Sequence, residues 1–212
     1  MNDPHRGLPV VHAGARVDEC RAAVIMIHGR NSSPSSILEL IPRLGCSDCA
    51  YLAPTAANRS WYPVSFMSEL EKNEPSLTSA LGVLEALVAD LAARGVPKSR
   101  VVLLGFSQGA CLAAEFSRRR PGRYGGVVIF SGGLIGPPAT AWSPAGTFDG
   151  SPIFFGCSDV DAHVPKTRVE ESARLFRDMG AEVVARIYPG MAHVVNDDEI
   201  ACAQTLIGGI AR

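Results

Sequence analysis

Ser107 lies in Gly105-Phe106-Ser107-Gln108-Gly109, directly after the apolar run Val101-Val102-Leu103-Leu104 and before the helix-like segment Ala110-Cys111-Leu112-Ala113-Ala114. A Gly-x-Ser-x-Gly motif between a strand and a helix predicts a turn tight enough to lift the hydroxyl clear of the backbone, with glycines where side chains would collide. A hydroxyl is a poor nucleophile near neutral pH until a neighbour takes its proton. This serine therefore needs a base, a carboxylate to orient the base, and N–H donors for a developing oxyanion. On an α/β architecture the expected chain order is serine, acid, histidine. Two histidines follow Ser107. His193, in Tyr188-Pro189-Gly190-Met191-Ala192-His193, falls between the last predicted strand and the last predicted helix and leaves room for an acid before it; His163 does not. The acid is Asp159 or Asp161, both in the loop after the strand ending at Phe155, and spacing does not choose between them.

These groups must be held by alternating strands and helices. Pro9 to Ala13 reads as a weak first strand, and Ala22 to Ile27 is the continuous apolar run of a strand covered on both faces. Ser33 caps a helix with Pro34 at its first position, and Ile37, Leu38, Leu40, Ile41 and Leu44 share one face. Ala50 to Pro54 is a short strand, Pro75 to Gly95 a helix, and Gly125 to Phe130 and Pro152 to Phe155 further strands. Lys166 to Met179 is a helix, Glu182 to Tyr188 a strand, and Asp197 to Ile210 a final helix capped by Asn196. Strands separated by helices predict an α/β fold, a mostly parallel sheet with helices on both faces. Residues 55–74 follow neither period. Trp61, Tyr62 and Phe66 in that loop, with Leu134 from the irregular stretch after the Gly125 strand, are candidates to wall a substrate pocket.

The 212 residues suit one domain, 1–212, with the 55–74 loop covering the pocket. A formal charge of -1 lacks the basic excess of nucleic-acid binders. No apolar run approaches the roughly 18 residues of a membrane span, and no apolar signal segment opens the chain, which predicts a cytoplasmic enzyme. The six cysteines are then expected as reduced thiols. Cys46-Ser47-Asp48-Cys49 lacks the second ligand pair of a zinc site, so no metal and no cofactor are expected.

Ser107 in Gly-Phe-Ser-Gln-Gly, Asp161 in Asp161-Ala162-His163-Val164-Pro165, His193 in Gly-Met-Ala-His, and His28-Gly29 after the first long strand resemble the phospholipase/carboxylesterase family of α/β-hydrolases, which includes acyl-protein thioesterases. The resemblance covers nearly the whole chain. It implies the α/β-hydrolase fold, picks Asp161 over Asp159 as the acid, and assigns the oxyanion donors to the backbone N–H groups of Arg30 and Gln108. It also implies a small-molecule ester substrate and a tendency to homodimers, although no stripe in the sequence demands an interface. Arg30-Asn31-Ser32 replaces the family's more usual apolar and glycine-rich continuation of His-Gly, and Phe155-Gly156 stands where His-Gly is common. The 55–74 loop also differs from the thioesterases' lipid-binding arrangements. The expectation is a serine carboxylesterase for short- to medium-chain esters; lysophospholipase, acyl thioesterase and a non-catalytic binding protein are the alternatives. Dienelactone hydrolase is disfavoured by serine in place of cysteine.

Overall fold

The structure, a computed structural model, describes residues 3–210. Seven strands form one sheet: β1 (Val10–Gly14), β2 (Ala22–Ile27), β3 (Cys49–Pro54), β4 (Val101–Phe106), β5 (Gly126–Phe130), β6 (Pro152–Ser158) and β7 (Glu182–Tyr188). Their order is β1-β3-β2-β4-β5-β6-β7, with β1 antiparallel to β3 and the other pairs parallel. The helices are α1 (Pro34–Leu38), α2 (Ile41–Leu44), α3 (Ser76–Ala93), α4 (Gln108–Arg119), α5 (Lys166–Asp178) and α6 (Asp197–Gly208). This is the α/β-hydrolase architecture.

The apolar runs are continuous because each strand feeds two cores. Ala23, Ile25 and Ile27 of β2 face one side with Leu103, Ile129 and Phe155, under Leu84 of α3, Ala113 of α4 and Phe176 of α5. Val24 and Met26 face the other with Leu104, Val128 and Phe154, under Ile37 of α1, Leu44 of α2 and Ile200 and Ile207 of α6. Because β2, β4, β6 and β7 are all parallel, their C-terminal ends meet at one edge of the sheet, where ligands of open α/β sheets bind. The loops that follow them carry His28 to Arg30, Ser107, Asp161 and His193.

Three expectations change. The helix expected from Pro34 to Leu44 is two short ones, because Pro42 has no N–H to donate back to Leu38. α3 has 18 residues and a mean hydropathy of 1.5, long and apolar enough to cross a membrane by length and composition. Its Leu77, Ala80, Leu84 and Leu91 are buried in the first core, which is how it is used in this fold. Cys46 and Cys49, expected as reduced thiols, are joined in a disulfide. The turn from α2 into β3 brings their Cα atoms to 5.5 Å, within the range a disulfide spans. Cys46, Asp48 and Cys49 cluster as metal ligands would, but both sulfurs are spent on each other.

Two buried polar side chains set loops near the sheet edge. Arg168 of α5, 2% exposed, donates to the carbonyls of Leu134, Gly136 and Pro137 and fixes the 131–151 loop. Glu199 of α6 forms a capping box with Asn196, accepting the Asn196 N–H at 2.8 Å while the Asn196 side chain accepts the Glu199 N–H. Its other oxygen is buried without a partner against Gly156, the one residue type that leaves room for it. Burial pushes the Glu199 carboxyl up to about 7, the Asn196 N–H opposes the shift and the Asp198 charge adds to it. A carboxyl raised in the folded state costs nothing below its ordinary value near 4.5 and destabilises increasingly as pH rises from there to about 7. Glu199→Gln keeps a capping-box side chain and removes that charge. It is expected to stabilise the fold by roughly 1 to 3 kcal/mol at pH 8 and to lose this advantage below pH 4.5, as read from urea unfolding at the two pH values.

Candidate active site

Between β4 and α4 the chain turns on Ser107, whose φ of 56° and ψ of -120° are outside the regions a side-chain-bearing residue prefers. A Cβ on Gly105 would run into the Gly109 carbonyl, and one on Gly109 would strike the Ile27 oxygen and lie 2.6 Å from that of His28. Both glycines are therefore required by close backbone approach. The Ser107 N–H bonds the Phe130 carbonyl at 2.9 Å and its own carbonyl accepts from Cys111 at 3.0 Å, so the turn is tied to β5 and to the first turn of α4.

His193 Nε2 lies 2.9 Å from Ser107 Oγ, and His193 Nδ1 lies 2.6 Å from Asp161 Oδ2. The carboxylate fixes the tautomer: Nδ1–H donates to Asp161 and the Nε2 lone pair faces the serine hydroxyl, ready to accept its proton. Asp161's other oxygen accepts the backbone N–H groups of His163 at 2.8 Å and Val164 at 3.0 Å. Burial alone would push the Asp161 carboxyl up, but the hydrogen bonds from His193 and these two N–H groups outweigh it and hold it below its ordinary value. It stays an anion next to the imidazole. Asp159 does something else: its Oδ1 accepts the Gly190 N–H at 2.7 Å and pins the loop that carries His193. His163 lies beside the relay, with its ring 4.9 Å from that of His193.

The His28-Gly29-Arg30 turn passes against the serine, since a Cβ on Gly29 would lie 3.4 Å from that of Ser107. His28 is buried and braces the turn, donating from Nδ1 to the Gly29 carbonyl at 2.8 Å and accepting the Ala56 N–H at Nε2. Burial and the nearby Arg59 charge lower its pKa despite the Gly29 carbonyl, so it is neutral. Among the described residues the backbone N–H groups of Arg30 and Gln108 have no protein acceptor. The side chain of Gln108 staples the 55–74 loop to the start of α4: Oε1 accepts the Trp61 N–H at 2.9 Å and Nε2 donates to the Tyr62 carbonyl at 2.8 Å.

A cavity of about 540 Å³ opens over these groups, and Tyr62, Phe66, Phe106 and Val164 supply its apolar wall. Trp61 and Leu134, expected in that wall, stand behind it. Trp61 is fully buried between the His5 and His28 rings and donates its indole N–H to the His28 carbonyl at 2.8 Å, so it supports the turn rather than the substrate. Leu134 is fully buried because Arg168 and Ser172 hold its backbone from below the loop. Cys111, one turn into α4, also reaches the cavity, and burial pushes its thiol up to about 12, so it remains neutral. The stapling roles of Gln108, His28 and Arg168 carry no periodic or motif signal in the sequence. His28 and Gln108 are reachable only as neighbours of the glycine motifs.

Residues 10–209 match the family model described as Phospholipase/Carboxylesterase. The chain belongs to the phospholipase/carboxylesterase family. Members are hydrolases, and this one is an esterase or thioesterase of the α/β-hydrolase type. A phospholipase/carboxylesterase of known structure from Dyadobacter fermentans is 38% identical, superposes with a TM-score of 0.90 and is matched over 96% of both chains. Acyl-protein thioesterase 1 of Eremothecium gossypii is 27% identical over 90% of each chain. Lysophospholipase-like protein 1 of Mus musculus is 23% identical over 84% of this chain and 82% of its own.

The Gln108 staple gives the site a structural test. Gln108→Ala keeps the backbone N–H but leaves the buried Trp61 N–H without its acceptor and the Tyr62 carbonyl with the Ser60 hydroxyl alone. It is expected to cost on the order of 2 kcal/mol in denaturant unfolding and to raise KM for esters as the loop wall loosens.

Proposed function

We propose that this family member is a serine carboxylesterase that hydrolyses short- to medium-chain esters through an acyl-enzyme. The observation that carries the reading is the unbroken relay from Ser107 Oγ through His193 to Asp161 at the foot of an apolar-walled cavity. In this mechanism His193 Nε2 takes the Ser107 proton as Oγ attacks the ester carbonyl. Asp161 holds the imidazole in place and stabilises the imidazolium. The N–H groups of Arg30 and Gln108 receive the oxyanion, each contributing about 3 kcal/mol in the transition state. His193 then gives its proton to the leaving alcohol, and a water repeats the sequence on the acyl-serine to release acid and free enzyme.

The chain-length preference follows from the cavity. Its volume lies within the range of small-molecule sites, about 300 to 1,000 Å³, and its walls are set by residues locked in place: Tyr62 by the Gln108 staple, Phe66 by its carbonyl's bond to the Gly136 N–H at 2.8 Å. The names of the acyl-protein thioesterase relatives favour thioester hydrolysis as the second reading, since the same relay serves both leaving groups.

The test is turnover of a 4-nitrophenyl ester series from acetate to palmitate, with the oxygen and sulfur esters of one acyl chain compared alongside. The expected result is an optimum at short or medium chains, and loss of turnover to background in Ser107→Ala. Asp161→Asn should reduce kcat by about 10³- to 10⁴-fold, because an amide at that position offers an N–H to His193 Nδ1 and favours the wrong tautomer. An optimum at palmitate, or a marked preference for the thioester, would replace this reading with the lysophospholipase or thioesterase one.

A further inference from the structure

The rim of the cavity carries a feature that ester hydrolysis alone does not use. Arg30 follows Gly29, and its side chain lines the cavity. Nη1 donates to the Pro63 carbonyl and Nη2 to the Val64 carbonyl, both at 2.7 Å, and the guanidinium lies 5.9 Å from the Tyr62 ring centroid. Those partners are neutral dipoles. They hold the cation in one place without cancelling its charge, and they use two of its five N–H groups. Arg59, which does not line the cavity, is likewise held by backbone carbonyls, those of Asn31 and Ser32. Neither arginine has a carboxylate partner among the described residues. Among the described residues no Asp or Glu lines the cavity, whereas Asn31, Ser32, Ser65 and His163 do. One held guanidinium, at the exposed rim, and several hydrogen-bonding side chains therefore face the candidate oxyanion site in a chain of net charge -1.

We propose that Arg30 is a specificity-determining residue that selects esters bearing a free carboxylate, with the guanidinium binding that carboxylate while the scissile carbonyl sits over Ser107. The proposal rests on the esterase reading above. A carboxylate is the fitting group because one fixed guanidinium with three unspent N–H groups satisfies a single negative charge, through charge-assisted hydrogen bonds. The side chain springs from the residue whose own backbone N–H faces the oxyanion in that reading. The carboxylate therefore belongs one side chain's reach from the ester carbon, on the acyl or the alcohol portion.

Two pairs of esters distinguish the portions: mono-4-nitrophenyl adipate against its methyl-capped diester, and 3-carboxyphenyl hexanoate against phenyl hexanoate. The readout is the kcat/KM ratio of charged to neutral ester within each enzyme, so any loosening of the Pro63 and Val64 loop affects both members alike. The wild type is expected to favour the charged ester about tenfold in one pair at low ionic strength and to lose much of that preference in 1 M NaCl. Arg30→Gln should bring the ratio close to one, and Arg30→Lys should keep part of it. A ratio at or below one in both pairs, or a preference that survives Arg30→Gln, overturns the proposal and leaves the esterase reading standing. No turnover of any of the four esters overturns both.

Discussion

The site depends on a backbone conformation that Ser107 would not choose by itself. A non-glycine residue at φ 56° and ψ -120° costs on the order of 1 to 3 kcal/mol and persists only where its surroundings leave no alternative. Here they leave none. The Ser107 N–H is taken by β5, its carbonyl starts α4, and Gly105 and Gly109 let the strand, the helix and the end of β2 approach closer than any Cβ permits. The result is a hydroxyl raised above the sheet edge with the positive end of α4 behind it. Everything else near the site is arranged with respect to that fixed point.

What surrounds the serine is a set of loops held by buried side chains rather than by ladders. Gln108 and His28 tie the 55–74 loop and the Gly29 turn together, Trp61 is wedged between His5 and His28, and Arg168 secures the 131–151 loop. Each of these polar groups is paired, and that pairing lets them be buried at low cost. Asp159, which is exposed, and Glu199, which is buried with one oxygen unpaired, hold the His193 loop at its two ends, through Gly190 and through the Asn196 cap. The 2.6 Å and 2.9 Å contacts of His193 are thus outcomes of loop anchoring as much as of the three side chains themselves.

The sheet was legible in the sequence because parallel strands covered on both faces must be apolar throughout, and the elbow because its glycines answer a steric demand that no other residue meets. Chain order points to His193, and that side chain lies 2.9 Å from Ser107 Oγ. Chain order does not choose the acid: Asp159 and Asp161 are two residues apart in one loop, and only the direction of the side chains distinguishes the one that meets His193 from the one that meets Gly190. The same blindness explains Trp61 and Leu134, apolar residues in irregular segments where no period says which way a side chain points. The disulfide was missed because Cys-x-x-Cys spacing reads alike for thiols, a metal pair or a bond. The Pro42 break was visible in principle and was overridden by the apolar stripe. Arg30 stood out as a departure from the family pattern, but its clamp on Pro63 and Val64 joins residues more than thirty positions apart and left no trace.

The central claim is that His193, held by Asp161, makes Ser107 the one activated nucleophile of the chain. Covalent labelling with a fluorophosphonate, read by intact mass and peptide mapping, tests this without any assumption about the substrate. The account predicts a single adduct on Ser107 in the wild type and none in His193→Gln, with Cys111 unmodified because its thiol is neutral. An adduct on another residue, or undiminished labelling of Ser107 after loss of the imidazole, would contradict it.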